Sequence, residues 1–370
     1  MVACGRDDRA AEPIGDEGGG AATVLSHGEH QLAITSSVPA AATLVALDAT
    51  APDTAGLTRG LRALSDEIRR LTDRSAGPGS TSGAIVAVGS SLFDDRFGLA
   101  SRRPHELVAM SSLANDRLDP ARTHGDVLLT ISADDADTAG EERAALVEAT
   151  GDTFAVRWEL RGSNEIPDRG AHARNPLGFL DGTSNPDRDD EAAMRRFVWV
   201  RPRDAEPSWA AGGSYQVVRV IRTAVDDWER LDVEEQEAII GRRKASGAPL
   251  SGGAVDDVPD YSGDPGGHVT PLDAHIRLAN PRDSNIEYES ILRRGFSYDR
   301  GTDATGGADR GLAFVCFQRS LEKGFLAIQE RLAGEPLERF TRPEGGGFYF
   351  ALPGALDEDD WLGRSLLERL

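Results

Sequence analysis

The chain has 370 residues, 39% of them hydrophobic and 28% charged, with a net charge of −21. This length allows one large domain or two ordinary ones with a buried core, and no stretch approaches the roughly 20 apolar residues of a spanning helix. The negative charge argues against nucleic acid and anionic membranes as partners, because phosphate binding needs clustered cations.

The first 28 residues are rich in Gly, Ala, Asp and Glu without an apolar period, which is typical of a disordered tail. Within them, Met1-Val-Ala-Cys4-Gly resembles the end of a bacterial lipoprotein signal, but the charged and apolar segments of such a signal do not precede it. A chance match is the simpler interpretation, and lipidation of Cys4 stays open. Cys316 lies in an apolar run and is interpreted as a buried small hydrophobe.

From residue 29 the apolar pattern follows the order β-α-β-β-α-β. Strands are predicted at 42–49, 84–89, 126–132 and 154–160. Helical spacing of leucines and isoleucines predicts helices at 54–72 and 139–150. This order is that of a ferredoxin-like unit, an antiparallel sheet with helices on one face.

The second half repeats the order around a long insertion. Strands are predicted at 215–221, near 297, at 312–317 and at 347–351, and helices at 228–240 and 321–332. The sequence therefore predicts an α+β fold of two ferredoxin-like domains, at 29–205 and 206–370. The insertion, about 242–292, is rich in Gly, Pro and Asp. A loop of that length is usually functional or disordered, and the presence of His275 favours a function.

Asp181 is the first candidate for chemistry. An isolated Asp-Gly pair is most simply a tight turn, but Gly178, Gly182 and Asn185 around it would let the backbone approach a flat, bulky group. A carboxylate above a haem iron can move a proton between the two oxygens of hydrogen peroxide. Arg293 or Arg294 would then stabilise the charge on the leaving oxygen.

His275 is the second candidate. A lone histidine is more often an ordinary polar residue than a ligand, and this interpretation is given to His27, His30, His105, His124, His172 and His268. His275 differs because a turn at Asn280-Pro281-Arg282 would return Arg282 towards it, and Arg277 lies close in sequence. Arginines beside a haem ligand suit the two anionic propionates, so Arg277 is a candidate propionate partner.

These motifs resemble those of the dye-decolourising (DyP-type) haem peroxidases. Gly178-Phe-Leu-Asp-Gly182 is similar to the Gly-x-x-Asp-Gly signature of that family. His275, with an arginine eighteen residues later (293 − 275), is similar to its proximal histidine and distal arginine. Further similar blocks lie at 93–100, 241–250, 322–325 and 345–353, so the resemblance covers nearly all the chain beyond the tail. It is greatest to the secreted branch associated with bacterial iron uptake.

The resemblance implies two ferredoxin-like domains of the dimeric α+β barrel type and one haem b per chain, held mainly by the second domain. His275 is implied as the axial iron ligand, Asp181 as the acid-base residue and Arg293 as the distal cation. The remaining residues implied to line the haem are Gly182, Thr183, Ser184, Asn280, Pro281 and Arg282. The implied activity is reduction of hydrogen peroxide through a ferryl intermediate, with oxidation of bulky aromatic donors such as dyes and phenolics.

One alternative is a haem-handling protein that carries porphyrin or recovers iron from it (a deferrochelatase), working with partner proteins of an iron-uptake system. Asp181 and Arg293 favour catalysis, because a carrier has no use for them. An α+β protein without cofactor would make both motifs coincidental. The resemblance implies a secreted, extracytoplasmic or membrane-anchored location, although no twin-arginine signal is present and the cytoplasm stays open, as does homo-oligomerisation. Tyr298 is a candidate electron relay because it lies five residues beyond Arg293 (298 − 293).

Overall fold

A computed structural model of the protein describes residues 27–74, 82–165, 172–282 and 290–368. The first half forms a four-stranded antiparallel sheet in the order β2-β3-β1-β4. Its strands are β1 (Ala41–Ala49), β2 (Gly83–Gly89), β3 (Val127–Ala133) and β4 (Phe154–Ser163). Two helices, α1 (Thr54–Arg74) and α2 (Ala136–Ala149), lie on one face of it. This is the predicted ferredoxin-like unit.

Helix α1 is held on the sheet by a continuous apolar face. Leu57, Leu61 and Leu64 recur at helical spacing, and each is fully buried. The helix passes very close to the start of β4, where a methyl group on Gly60 would lie 2.3 Å from Thr153 Cγ2. Glycine at this position therefore sets how closely the helix approaches the sheet.

The second half repeats the strand order. Its sheet has the strand order β9-β5-β8-β7. The short β6 pairs with β8 on the same edge as β7. The strands are β5 (Ser214–Thr223), β6 (Leu292–Arg293), β7 (Phe296–Thr302), β8 (Ala308–Gln318) and β9 (Thr341–Ala351). The remaining helices are α3 (Glu191–Phe197), α4 (Val225–Trp228), α5 (Val233–Ile240), α6 (His275–Ala279), α7 (Ala327–Leu332) and α8 (Arg364–Leu367).

The two sheets close into a barrel. Strand β2 pairs with β9 from Ala87–Ala351 to Gly89–Tyr349, and β4 meets β7 at Ser163–Ser297. Side chains from both sheets fill the interior as one apolar core, while the opposite faces pack against the helices. The α+β fold of two ferredoxin-like units, of the dimeric α+β barrel type, is confirmed.

The predicted helix at 228–240 was wrong as a single element. The chain forms α4 and α5 instead, because Asp232 caps a new helix: its side chain accepts the Glu235 N–H at 2.8 Å, and the Glu235 side chain accepts the Asp232 N–H at 3.2 Å. This reciprocal capping starts a helix after a turn. The Asp-x-x-Glu spacing was a readable signal for the break.

Other elements also differ from prediction. Strand β9 begins at Thr341 rather than 347, since its glycines permit close strand packing: a methyl group on Gly346, whose φ is +108°, would lie 2.0 Å from Val218 O. The insertion contains a short helix, α6. Cys316 is fully buried, as predicted, whereas the first 26 residues of the predicted tail, with Cys4, lie outside the described residues. Among the helices described, none is long and apolar enough to cross a membrane.

Candidate functional site

His275 is the first residue of α6, and a buried carboxylate fixes its ring. Its Nδ1 lies 2.7 Å from Glu335 Oε2, with 27% of the His275 side chain and 8% of the Glu335 side chain exposed. Because a carboxylate oxygen accepts hydrogen bonds, the proton of the His275 ring lies on Nδ1. The lone pair of Nε2 is therefore available to bind a metal ion. Sequence reasoning missed Glu335, which lies sixty residues away (335 − 275) in a turn without a motif.

Neighbouring elements hold α6 at both ends. Arg331 of α7 donates to Leu278 O at 3.0 Å and to Ala279 O at 2.7 Å, so it caps the end of α6, while Glu335, just after α7, holds its first residue. On another side, Gly241 ends α5 with φ +92°, and a methyl group there would lie 2.6 Å from Ile276 Cγ1. The histidine is therefore positioned by α5 and α7 together.

Asp181 and Arg293 form an ion pair, with Arg293 Nη1 3.2 Å from Asp181 Oδ1 and both side chains about a quarter exposed. Asp181 Oδ1 also accepts the Gly182 N–H at 2.6 Å. Gly178 and Gly182 have φ of +84° and +79°, which glycine adopts at little cost. The segment is thus a tight turn that presents its carboxylate to a cation. The acid-base role of Asp181 stays a prediction.

Asn185 fixes the backbone of Arg293. Its side-chain amide donates to Arg293 O at 2.8 Å and accepts the Arg293 N–H at 3.1 Å, which joins the 181–185 turn to β6. Arg294 is directed elsewhere, since its guanidinium donates to Ser36 O at 2.5 Å and to Ser37 O at 3.1 Å. Of the two candidate arginines, only Arg293 pairs with Asp181.

The two motif regions meet at one short segment. Gly241 contacts the residue after His275, and the adjacent Arg242 donates to Ser184 Oγ at 3.2 Å. Arg242 is 4% exposed. Burial lowers its pKa, and the like charges of Arg293 and Arg282 lower it further. The turn that carries Asp181 and the helix that carries His275 therefore both adjoin residues 241–242.

A basic cluster surrounds Tyr261 in the insertion. Arg277 lies over its ring at 4.9 Å; burial raises the pKa of the Tyr261 hydroxyl, and the charges of Arg282, Arg242 and Arg277 oppose that shift. This hydroxyl is buried, and within the part of the chain that the structure describes it has no hydrogen-bond partner. In a protein of net charge −21, three cations around an unpartnered hydroxyl suit an anionic ligand.

The other candidate residues lie around these groups. Arg277 donates to Thr270 O at 2.8 Å and to Asp264 O at 2.9 Å, so several of its donors bind the insertion itself. Asn280 ends α6, and its side chain accepts the Arg282 N–H at 3.2 Å. Pro281 lies between them, and Arg282 is exposed with φ +61°. Gly182, Thr183 and Ser184 form the turn after Asp181. Tyr298 is buried inside the barrel, 3% exposed.

The donor set fits iron carried in a porphyrin. No three His, Cys, Asp or Glu side chains in the described ranges group to hold a bare metal ion. A porphyrin supplies four nitrogen ligands itself and needs from the protein one imidazole, which His275 offers, with cations for its carboxylates. The residues present therefore fit haem.

Comparison with known proteins agrees with this fit. The family model for the N-terminal region of Dyp-type peroxidases matches residues 31–164, and that for their C-terminal region matches residues 172–356. A deferrochelatase of Escherichia coli (strain UTI89) is 45% identical over 367 residues, covering 92% of this chain and 86% of the relative. A Shigella flexneri deferrochelatase is 44% identical over 368 residues, covering 92% of this chain and 87% of the relative.

Solved structures are also similar to this chain over nearly its whole length. The ferric form of DtpA from Streptomyces lividans has a TM-score of 0.85 and 37% identity, and the match covers 95% of this chain and 98% of that one. A DyP-type peroxidase from Cellulomonas bogoriensis has a TM-score of 0.84 and 35% identity, with 95% and 99% covered.

Proposed function

Because this chain belongs to the DyP-type peroxidase family, we propose that His275 binds the iron of haem b and that the Asp181–Arg293 pair activates hydrogen peroxide. The protein is a haem peroxidase: it reduces hydrogen peroxide and oxidises a second substrate. The observation that carries the division of roles is the 3.2 Å ion pair between Asp181 and Arg293, which places an acid-base group and a cation side by side.

On the side of the haem that faces His275, the protein orients the proposed iron ligand. Bound haem supplies an iron centre from which hydrogen peroxide withdraws two electrons. Glu335 holds the proton of His275 on Nδ1 and so keeps Nε2 available. The negative charge of Glu335 also makes the imidazole a stronger electron donor. Arg242, Arg277 and Arg282 would receive the propionates near Tyr261.

On the distal side, the protein moves a proton. Asp181 accepts the proton from the inner peroxide oxygen and returns it to the outer oxygen, which leaves as water. The guanidinium of Arg293 stabilises negative charge on that outer oxygen as the O–O bond breaks. Asn185 keeps Arg293 in place through two backbone hydrogen bonds.

The test is an absorption spectrum of the purified protein with its haem, before and after one equivalent of peroxide. We expect a Soret band, a pyridine haemochrome characteristic of haem b, and a rapid Soret change. Asp181→Ala with Arg293→Leu should keep the band and lose the rapid change. An unchanged rate in the double variant would show that these residues do not activate peroxide.

The second substrate is proposed to be a bulky aromatic donor, a dye or a phenol. Tyr298 remains a predicted relay for electrons from such donors. It lies in the core between the sheets, together with Trp158 and Tyr349. Replacing Tyr298 with Phe should slow dye oxidation and leave the peroxide reaction unchanged.

A second candidate function is recovery of iron from haem. Relatives 44–45% identical carry the name deferrochelatase, which favours it. Incubation with haem and a reductant, followed by chromatography with fluorescence detection, would show metal-free porphyrin with an intact ring. Absence of that product alongside active peroxide turnover would leave peroxidase as the sole activity.

The location of the protein and its assembly belong to the same proposal. We expect it outside the cytoplasm, as the resemblance to the secreted branch implies, with partner proteins of an iron-uptake system. Cell fractionation would test the location, and co-purification from the native cell would test the partners.

A further inference from the structure

A second cavity lies at the seam between the two ferredoxin-like units, in a part of the protein to which the peroxide chemistry assigns no role. Its volume is about 490 Å³, within the range of small-molecule sites. Strand ends and loops of the first unit form most of its wall, and β9 of the second unit supplies Phe348. The residues that line it include Asp48, Arg96, Ala109, His124, Asp126 and Arg157.

The charges in its wall cancel. Arg157 pairs with Asp48 at 3.1 Å, and Arg96 pairs with Asp126 at 2.9 Å. Arg96 also donates to Ser91 O at 3.0 Å, so its guanidinium is well occupied. An anion would find neither arginine free, and a cation would find neither aspartate free. Phe348 adds an aromatic surface. The cavity therefore suits a neutral ligand with an apolar body.

His124 offers that ligand a hydrogen-bonding group. Its backbone is held at φ +65°, an uncommon conformation for a residue other than glycine, because its N–H donates to Gly346 O at 2.8 Å and its carbonyl accepts Trp158 Nε1 at 2.7 Å. Its imidazole has no hydrogen-bond partner among the residues described. Burial lowers the pKa of His124, and the Arg157 charge lowers it further, so the ring is neutral near pH 7 and can accept a proton.

The cavity is connected to the peroxide site by the sheet. Phe348 pairs with Val217, Val217 with Cys316, and Cys316 with Arg293, so these residues form one row across β9, β5, β8 and β6. Three strand spacings place Phe348 about 14 Å from Arg293. Trp158, bonded to His124, packs in the barrel core that also contains Leu292 beside Arg293. Packed side chains thus extend from the cavity to the peroxide site.

We propose that the seam cavity binds a neutral phenol as the electron donor, and that the imidazole of His124 takes the phenolic proton. The inference rests on the proposed peroxidase function. Each phenol loses one electron, through the protein to the oxidised haem site, and one proton, to His124, and leaves as a phenoxyl radical. Two phenols and one hydrogen peroxide give two radicals and two waters. Proton acceptance matters because an uncharged phenol, with a pKa of about 10, is hard to oxidise while it keeps its proton.

Binding is tested directly with 4-fluorophenol and the resting haem-loaded protein, without peroxide and with cyanide on the iron to block the distal side. Fluorine NMR line broadening gives the dissociation constant. Ala109→Trp should weaken binding at least about tenfold, because Ala109 is an exposed rim residue where a large side chain fills the cavity without disturbing the core. Val108→Trp, at the neighbouring residue that is 45% exposed and outside the cavity wall, is the matched control and should bind normally.

The role of His124 is tested with His124→Asn. Asparagine tolerates the left-handed backbone and keeps a polar side chain, but it is not a base. We expect 4-fluorophenol to bind within about twofold of normal while its oxidation slows about 100-fold, the usual scale of base catalysis. The Soret change with peroxide alone should keep its rate in every variant.

The outcomes separate this proposal from the proposed function. If the unmodified protein shows no Soret change with peroxide, the function itself fails. If it reacts with peroxide and oxidises the phenol, but Ala109→Trp binds and turns over the phenol normally, the seam cavity is not the donor site. If His124→Asn oxidises the phenol at the normal rate, His124 is not the proton acceptor.

Discussion

The two halves of the molecule share one strand order but use it differently. Between the first two strands of the first unit lie 33 residues (50–82), and the described part of this crossover (50–74) is mainly one continuous helix, α1, that covers the sheet. Between the corresponding strands of the second unit, β5 and β7, lie 72 residues (224–295), and their described part includes α4, α5, α6 and the short β6. The crossover of the first unit therefore serves core packing, whereas the longer crossover of the second unit carries His275. A duplicated scaffold can thus use one crossover for packing and extend the other to carry a functional residue.

Among the functional residues, loss of His275, the proposed iron ligand, should give the largest effect. We expect haem-free His275→Ala to fold with a melting temperature lowered by the lost contact to the buried Glu335, yet to retain little haem, because no other described residue takes its place beside Glu335. The ratio of Soret to protein absorbance measures this. His268→Ala, at an exposed histidine of the same insertion, is the control and should retain full haem. Normal occupancy in His275→Ala would mean that another residue binds the iron.

The next effect concerns packing in the first unit. Leu61→Ala removes a fully buried side chain of α1 and should lower the free energy of unfolding by about 2–5 kcal/mol. The haem spectrum of the folded fraction should not change. Urea titration followed by circular dichroism gives the value. Leu356→Ala, where the leucine is 65% exposed, should change it by less than about 0.5 kcal/mol. A spectral change in Leu61→Ala would show that packing of α1 in the first unit also affects the haem site.

Arg293→Leu should slow the reaction with peroxide by about 100- to 1,000-fold, because it removes the cation that stabilises the leaving oxygen. We expect Asp181→Ala to slow it less, since charge stabilisation is usually the larger contribution. Stopped-flow absorbance of the Soret band measures both rates. Arg294→Leu serves as the control: it should reduce stability through loss of its bonds to Ser36 and Ser37 and leave the rate unchanged. A slower reaction in Asp181→Ala than in Arg293→Leu would reverse the ranking.

The smallest effect is expected at Asn185, which touches only the backbone of Arg293. Asn185→Ala should slow the peroxide reaction about tenfold, equivalent to about 1.4 kcal/mol, by allowing the guanidinium to shift. Haem occupancy should stay normal. Ser184→Ala, which removes a contact to Arg242 instead, should change the rate by less than twofold. Equal losses in both variants would assign the effect to the whole turn rather than to Asn185.

Sequence reasoning was most successful where the information was local. The spacing of Leu57, Leu61 and Leu64 predicted α1, and the repeated element order predicted two related units. Asp181 and Arg293 were predicted from separate motifs to lie on the same side of a haem, and the structure brings the two side chains together as an ion pair. The roles of the site residues and the domain boundary at 205/206 remain predictions.

Elsewhere the outcome depended on packing between distant segments. Glu335 reaches His275 only because α6 docks against α7, and no local pattern records that docking. The choice between Arg293 and Arg294 was likewise open in the sequence, since adjacent residues of a strand point to opposite faces and the neighbours decide which face is the site. The last strand was predicted only from residue 347, whereas β9 begins at Thr341 and its glycines serve close packing against β5.

The contacts that Arg331 and Glu335 make with α6 also determine when the haem site can form during folding. A helix of five residues is not stable alone in water, so α6 cannot persist before Arg331 and Glu335 are present. During synthesis Glu335 follows His275 by sixty residues (335 − 275), roughly 3–12 s at 5–20 residues per second. Throughout that interval the nascent chain has an imidazole but no fixed ligand geometry. Stable capture of haem is therefore a late event, which begins only when the last third of the second unit has folded.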